Sequence, residues 1–227
     1  MTLDELDTPC LVLDRAKVAA NAKRLREHLA SLGVPLRLHV KTAKSLEATA
    51  LVLAALNRLG AKHRLLPETN SPITAMRGRS VVLIGSPWYS RAARTLLERS
   101  RWSTDLDPIS KEIAIVEQGK TGRVFVPKHG PRGEYREVYG LITVLPSSDN
   151  PSEARTTVVF SGLTSAGAHG AAAYFTDPEN LAALQQRFQQ EGLGRWPRSF
   201  QVLVRCTVSE DTQLLTYSYE SHTVAAQ

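Results

Sequence analysis

The hydrophobic pattern changes period repeatedly along the chain, and short strand-like runs alternate with helical stretches, which points to an α/β fold. Residues 8–14, TPCLVLD, form an apolar run, after which Val18, Ala22, Leu25, Leu29 and Leu32 recur on one helical face. Gly33 and Pro35 stop that helix, residues 36–40 (LRLHV) read as a second strand, and a further apolar helix over 45–59 ends at Gly60. Residues 61–79 then bring two prolines, polar residues and a basic cluster, the marks of a linker. A second series follows: a strand at 80–84, a Gly85-Ser86-Pro87 turn and a helix at 88–99. Residues 100–137 read as irregular, with short strands at 113–116 and 123–126. Strands at 139–145 and 156–161, helices from Ala166 and over 178–190, and a hairpin of 200–208 with 214–219 complete the pattern. Thr176 and Glu179 have capping-box spacing at the start of the 178–190 helix.

Charge divides the chain in the same place. The formal net charge is +6, of which residues 1–66 hold 11 basic against 6 acidic side chains, or +5, leaving 17 against 16, or +1, for residues 67–227. The expected domains are therefore an N-terminal unit over 1–66 and a separate α/β domain over 70–227. The basic residues are scattered and no Phe, Trp or Tyr precedes Trp88, so nucleic-acid binding is not expected. No run approaches the roughly 18 uncharged residues of a membrane helix. The N-terminus lacks the basic and apolar regions of a signal peptide, and Cys10 and Cys206 read as reduced, buried thiols. These features make a cytoplasmic protein without membrane contacts the expectation, with a homo-oligomer compatible.

Two local patterns carry chemistry. The first is residues 37–45, RLHVKTAKS, which places Lys41 at the carboxyl end of a strand. α/β folds and barrels put their chemistry at that end. A lysine held there can form a Schiff base with a carbonyl cofactor, Lys44 can lower its pKa by repulsion or meet a phosphate, and His39 shares its strand face. The second is residues 156–175, TTVVFSGLTSAGAHGAAAYF, a strand, a glycine-rich turn and a small-residue helix. Gly162, Gly167 and Gly170 in that turn fit either an anion or nucleotide site on helix amides or close helix–sheet packing. On the binding reading, Gly167→Val abolishes anion binding with the fold retained. Residues 163–167 also approach the G-x-S-x-G elbow, with Asp177 or Asp211 and His222 as partners in chain order, but Leu163 stands where the first glycine belongs. His169 reads as a packing or capping residue, and His129 as a loop residue.

The block His39-Val40-Lys41-Thr42-x-Lys44, with Thr8-Pro9, Asp14, Asn21 and Gly33-Val34, resembles the start of the D-threonine aldolase and D-serine dehydratase-like enzymes. These are pyridoxal phosphate enzymes with the alanine racemase type of TIM barrel. Leu38 and Ala43 depart from the pattern, since many relatives have Pro and His there. The resemblance implies an N-terminal βαβα fragment of such a barrel. It also implies pyridoxal 5'-phosphate carried on Lys41 near His39 and Lys44, and lyase or isomerase chemistry on a small D-amino acid. It covers about a quarter of the chain, so most of the barrel is missing and the unit reads as incomplete or as a fusion remnant. GSPW at 85–88, YGLITVLP at 139–146, the glycine turn and FQVLVRCTV at 200–208 are similar to an uncharacterised bacterial α/β domain. Ser90 and Ala168-His169 depart from that pattern. The implied architecture for 70–227 is a three-layer, Rossmann-like domain, and the alternative function is a nucleotide- or phosphate-binding or regulatory domain with a non-catalytic N-terminal fusion.

Overall fold

The computed structural model describes residues 46–63, 79–98, 100–118, 122–146, 155–193 and 195–224. The chain divides into two compact units, residues 1–42 and 43–227. The first lies outside the described residues, and with it the expected strands at 8–14 and 36–40, the helix between them, and Cys10.

Within the second unit, α1 (Leu46–Arg58) comes first. Its apolar residues recur every four positions, and Ala48 and Val52 are buried in the main core with Leu56 packed beside them. Gly60 ends the helix at φ +64, with Gly60 N–H bonded to Asn57 O and Ala61 N–H to Leu56 O, both at 3.0 Å. This is a Schellman turn, in which a left-handed residue satisfies the last carbonyls. The sequence pattern groups α1 with residues 1–66, but its apolar face needs a partner. It packs on α3 (Ser165–Thr176), inside the 43–227 unit.

The remaining elements are β1 (Val81–Ile84), α2 (Arg91–Leu97), β2 (Trp102–Leu106), β3 (Ile113–Glu117), β4 (Val124–Phe125), β5 (Lys128–His129), β6 (Tyr135–Pro146), β7 (Thr156–Gly162), α4 (Pro178–Gln190), β8 (Phe200–Val208) and β9 (Leu214–Val224). The main sheet has the order β1-β7-β6-β8-β9, with β5 on the first residues of β6; a second sheet has the order β2-β3-β4. Among the described strands only β1 and β7 pair in parallel, and β6 pairs antiparallel with both β7 and β8, as β8 does with β9. The unit is thus α/β, but its sheet is not the parallel one that a Rossmann-like domain implies. The reason lies in the connections. Residues 147–155 and the turn at Ser209–Gln213 are too short for the dozen or more residues that a parallel crossover requires. No closed barrel is present among the described residues.

Strand alternation sorts the core into two faces. Val138, Ile142 and Val144 of β6 and Phe200, Val202, Val204, Cys206 and Val208 of β8 meet the helical layer of α1, α3 and α4. On the other face Tyr139, Leu141 and Leu203 pack on Trp102 and Ile115 of the small sheet, while Leu83 and Val159 pack on α2. The result is three layers. β6 is buried from Val138 to Val144 because both its faces are covered. Gln201 ties the small sheet down: its side chain accepts from Trp102 N–H at 2.8 Å and donates to Trp102 O at 2.9 Å and Thr143 Oγ1 at 3.0 Å.

The sequence reads as irregular over 100–112, yet Trp102–Leu106 forms β2, where Trp102 and Thr104 alternate with Ser103 and Asp105, a weak strand signal among polar residues. The α4 cap also differs from the sequence expectation. Asp177 is the N-cap and accepts from Glu179 N–H at 2.9 Å, whereas Thr176 Oγ1 donates back to Ala172 O at 2.8 Å within α3. No helix among the described residues is long and apolar enough to cross a membrane.

Candidate functional site

β1 and β7 lie side by side in register from Val81↔Thr157 to Ile84↔Phe160. Neighbouring residues on a strand face opposite ways, and the two helices that follow use opposite faces. α2 sets Ala92, Ala93 and Leu97 on Leu83 and Val159, whereas α3 sets Ala166, Ala171 and Ala172 in the core that holds Ile84, Val158 and Phe160. Two connections therefore leave adjacent carboxyl ends toward opposite faces. In open α/β sheets such a divergence leaves a crevice at the strand ends, and ligands bind there.

The first connection is Gly85–Ser90, GSPWYS, and hydrogen bonds fix its backbone. Gly85 N–H donates to Phe160 O at 2.9 Å, extending the β1–β7 ladder by one residue. Ser86 O accepts from Tyr89 N–H at 2.9 Å and Ser90 N–H at 2.8 Å, and Ser86 Oγ accepts from Trp88 N–H at 3.3 Å. Arg94 reaches back from α2, donating from Nε to Pro87 O at 3.1 Å and from Nη2 to Trp88 O at 3.0 Å. Ser90 caps α2 by accepting from Ala93 N–H at 3.0 Å.

The second connection is Leu163-Thr164. Leu163 N–H donates to Tyr139 O at 3.0 Å, and Thr164 caps α3 through Oγ1, which accepts from Gly167 N–H at 3.3 Å. Ser165 is exposed, and among the described residues its N–H and that of Ala166 find no acceptor. The first turn of α3 holds no acidic side chain, so the partial positive charge at this end is not offset there.

The three glycines seat the helix on the sheet. A Cβ on Gly162 would collide with Ala168 N, one on Gly167 with Tyr139 O, and one on Gly170 with Cys206 Sγ. Gly140, paired with Gly162 across β6 and β7, likewise lies against Gly167 O. This close approach carries α3 down onto the sheet and brings its first turn to the end of β7. The free amides belong to Ser165 and Ala166, which the glycine spacing alone does not reveal. Cys206, buried beneath the helix, is a free thiol whose pKa burial pushes up to about 12, so it stays protonated and inert.

The elbow-type triad is not assembled. Asp177 is occupied in the cap of α4, where it also accepts from Asn180 at 3.1 Å, and Asp211 is exposed in the β8–β9 turn. His222 pairs through Nδ1 with Tyr219 OH at 2.7 Å, and its Nε2 lies 3.1 Å from Glu191 Oε1. His129 belongs to β5 rather than to a loop; its Nδ1 lies 3.0 Å from Gly133 O and its Nε2 2.8 Å from Glu112. Lys41, His39 and Lys44 lie outside the described residues. A second polar cluster sits on β5 and β6, where Tyr139 OH donates to Glu137 at 3.0 Å and Lys128 Nζ pairs with the same oxygen at 2.8 Å. Burial and then the Glu137 hydrogen bond push the Tyr139 phenol up to about 12, which keeps it a donor. Among the described residues no group of three His, Cys, Asp or Glu side chains could hold a metal ion.

In the sequence the GSPW block and the glycine turn are separate features. The parallel β1–β7 pair is what joins them. No family model, curated protein or solved structure matches the chain.

Proposed function

We propose that the unit over 43–227 binds a small anionic ligand, of the phosphate or nucleotide class, at the carboxyl ends of β1 and β7. The observation that carries this reading is the divergence of α2 and α3 from neighbouring parallel strands. The unpaired amides of Ser165 and Ala166 supply the donors. A regulatory or sensing role suits such a site better than triad catalysis, because Asp177 is engaged in the α4 cap and His222 with Tyr219 and Glu191.

The test is Ser165→Glu. A carboxylate in the first turn of α3 complements the helix dipole, so the melting temperature holds or rises. The same charge repels an anionic ligand, so affinity for nucleotides and phosphate falls by about tenfold or more. Calorimetric titration and thermal melting read the two effects separately. An unchanged affinity for a ligand that binds the wild-type chain would place the site elsewhere.

A second reading concerns Lys41 and is favoured by the HVKTAK block at 39–44. Lys41 would carry pyridoxal 5'-phosphate, which when bound supplies an electron sink for lyase or isomerase chemistry on a small amino acid. The helix that follows this lysine packs on α3, and no further barrel strand is present among the described residues, so cofactor binding with little turnover is expected. Borohydride reduction in the presence of the cofactor should fix a pyridoxyl group on the Lys41 peptide. Recovery of that peptide unmodified would overturn the reading.

A further inference from the structure

We propose that Trp88 is a ring-stacking residue of this site, and that the ligand is accordingly a nucleotide, with a heteroaromatic base as well as a phosphate. The inference rests on the switch-point reading above and deepens it by assigning the part of the ligand beyond its charge.

Three observations converge on Trp88. It sits at the centre of the connection that leaves β1, one of the two loops that diverge at the strand ends. Its backbone is held from both sides, through Ser86 Oγ at its N–H and Arg94 Nη2 at its carbonyl. Its side chain is nevertheless 36% exposed, next to Tyr89 at 64%. The other two tryptophans are used differently: Trp102 is wholly buried, and Trp196 packs against Phe188 and Phe200. Trp88 makes no ring contact of this kind among the described residues. A partly exposed indole on a backbone fixed by hydrogen bonds offers ring surface to a planar ligand ring, and the backbone beneath it loses little freedom on binding. A bare phosphate has no surface that could use it. Every base presents a π face, so this contact adds affinity without selecting among bases.

The test uses the full-length chain and titrates ADP, GDP, CDP and UDP beside inorganic phosphate, read by calorimetry and tryptophan emission. Nucleotides should bind at least tenfold more tightly than phosphate and quench the emission. Trp88→Ala should weaken nucleotide binding by about tenfold and leave phosphate affinity unchanged, while Trp88→Phe, which keeps a ring, should fall between. Melting curves show whether each variant is folded. The proposal is overturned if both folded variants bind nucleotides as the wild type does, or if phosphate and nucleotides bind alike; the switch-point reading survives either result provided Ser165→Glu still weakens binding. If neither nucleotides nor phosphate bind the wild-type chain, both fall together. If Trp88→Ala weakens nucleotide binding but Ser165→Glu does not, stacking stands and the anion site on α3 falls.

Discussion

Gly167→Val should be among the most damaging single substitutions in the unit, lowering stability by about 3 kcal/mol or more in urea denaturation. Two effects compete at this position. Helix propensity favours every residue but proline over glycine, by about 1 kcal/mol for alanine. Packing opposes it, because the added Cβ meets the carbonyl of Tyr139 and the Cα of Gly162, both backbone atoms of the sheet. Overpacking a close contact costs about 1–3 kcal/mol for a small group, and the branched valine adds more. Packing therefore wins, and the variant cannot serve as a binding test with the fold retained. Gly170 offers the control. Its Cβ would meet Cys206 Sγ, the end of a side chain, with Leu214 and Tyr217 at ordinary contact distances of 3.5 Å. Gly170→Ala should lose less, about 1–2 kcal/mol, and Cys206→Ala should restore part of that loss by making room. No side-chain truncation should rescue Gly167→Val. Equal rescue at both positions would show that α3 moves off the sheet easily, contrary to the backbone contacts among Gly140, Gly162 and Gly167.

Much of the 43–227 unit can be read from local pattern. α4 and β8 occupy the residues that periodicity assigns to them, because each has an unbroken apolar repeat and a clear stop. β2 is harder to see, since its WSTDL sequence is mostly polar and its pairing with β3 depends on residues about ten positions away. The direction of the sheet depends on connection length more than on the strands themselves, and an alternating strand–helix pattern overstates how parallel it is. The site is a sharper case. Glycine spacing marks where α3 approaches the sheet, but close packing and anion binding ask for the same residue. What separates them is the position of each hydrogen-bonded amide: Gly167 N–H is used by Thr164, and those of Ser165 and Ala166 are not. Likewise, Trp88 and Thr164 are more than seventy residues apart, and only the pairing of β1 with β7 makes their loops neighbours.

Removal of α1 is the second large effect expected, and it decides where the folding unit begins. A polar, proline-bearing stretch at 61–79 invites a boundary near residue 69, and a chain starting there would then melt cooperatively. The packing argues otherwise. Ala48 is fully buried, Val52 is 7% exposed and Leu56 packs against the same cluster, with α1 packed on α3. Arg58 Nη2 also donates to Thr176 O at 3.4 Å, a carbonyl at the last turn of α3. Exposing these side chains and the surface they cover forfeits roughly 3–5 kcal/mol at about 25 cal/mol per Å² of apolar area. A domain of this size holds only about 5–15 kcal/mol in total. A chain beginning near Thr69 should therefore unfold at much lower urea concentration, or lose its cooperative transition. One beginning at Ala43 should match the midpoint that the full chain shows for this unit. The two-residue change Ala48→Asp with Val52→Asp, made in the full chain, should reproduce the loss without any truncation, since it puts carboxylates into the same apolar contact. If the chain from Thr69 melts like the one from Ala43, α1 is an accessory to the core; if it does not, the helix after Lys41 belongs to the α/β unit and is no longer free to complete a barrel.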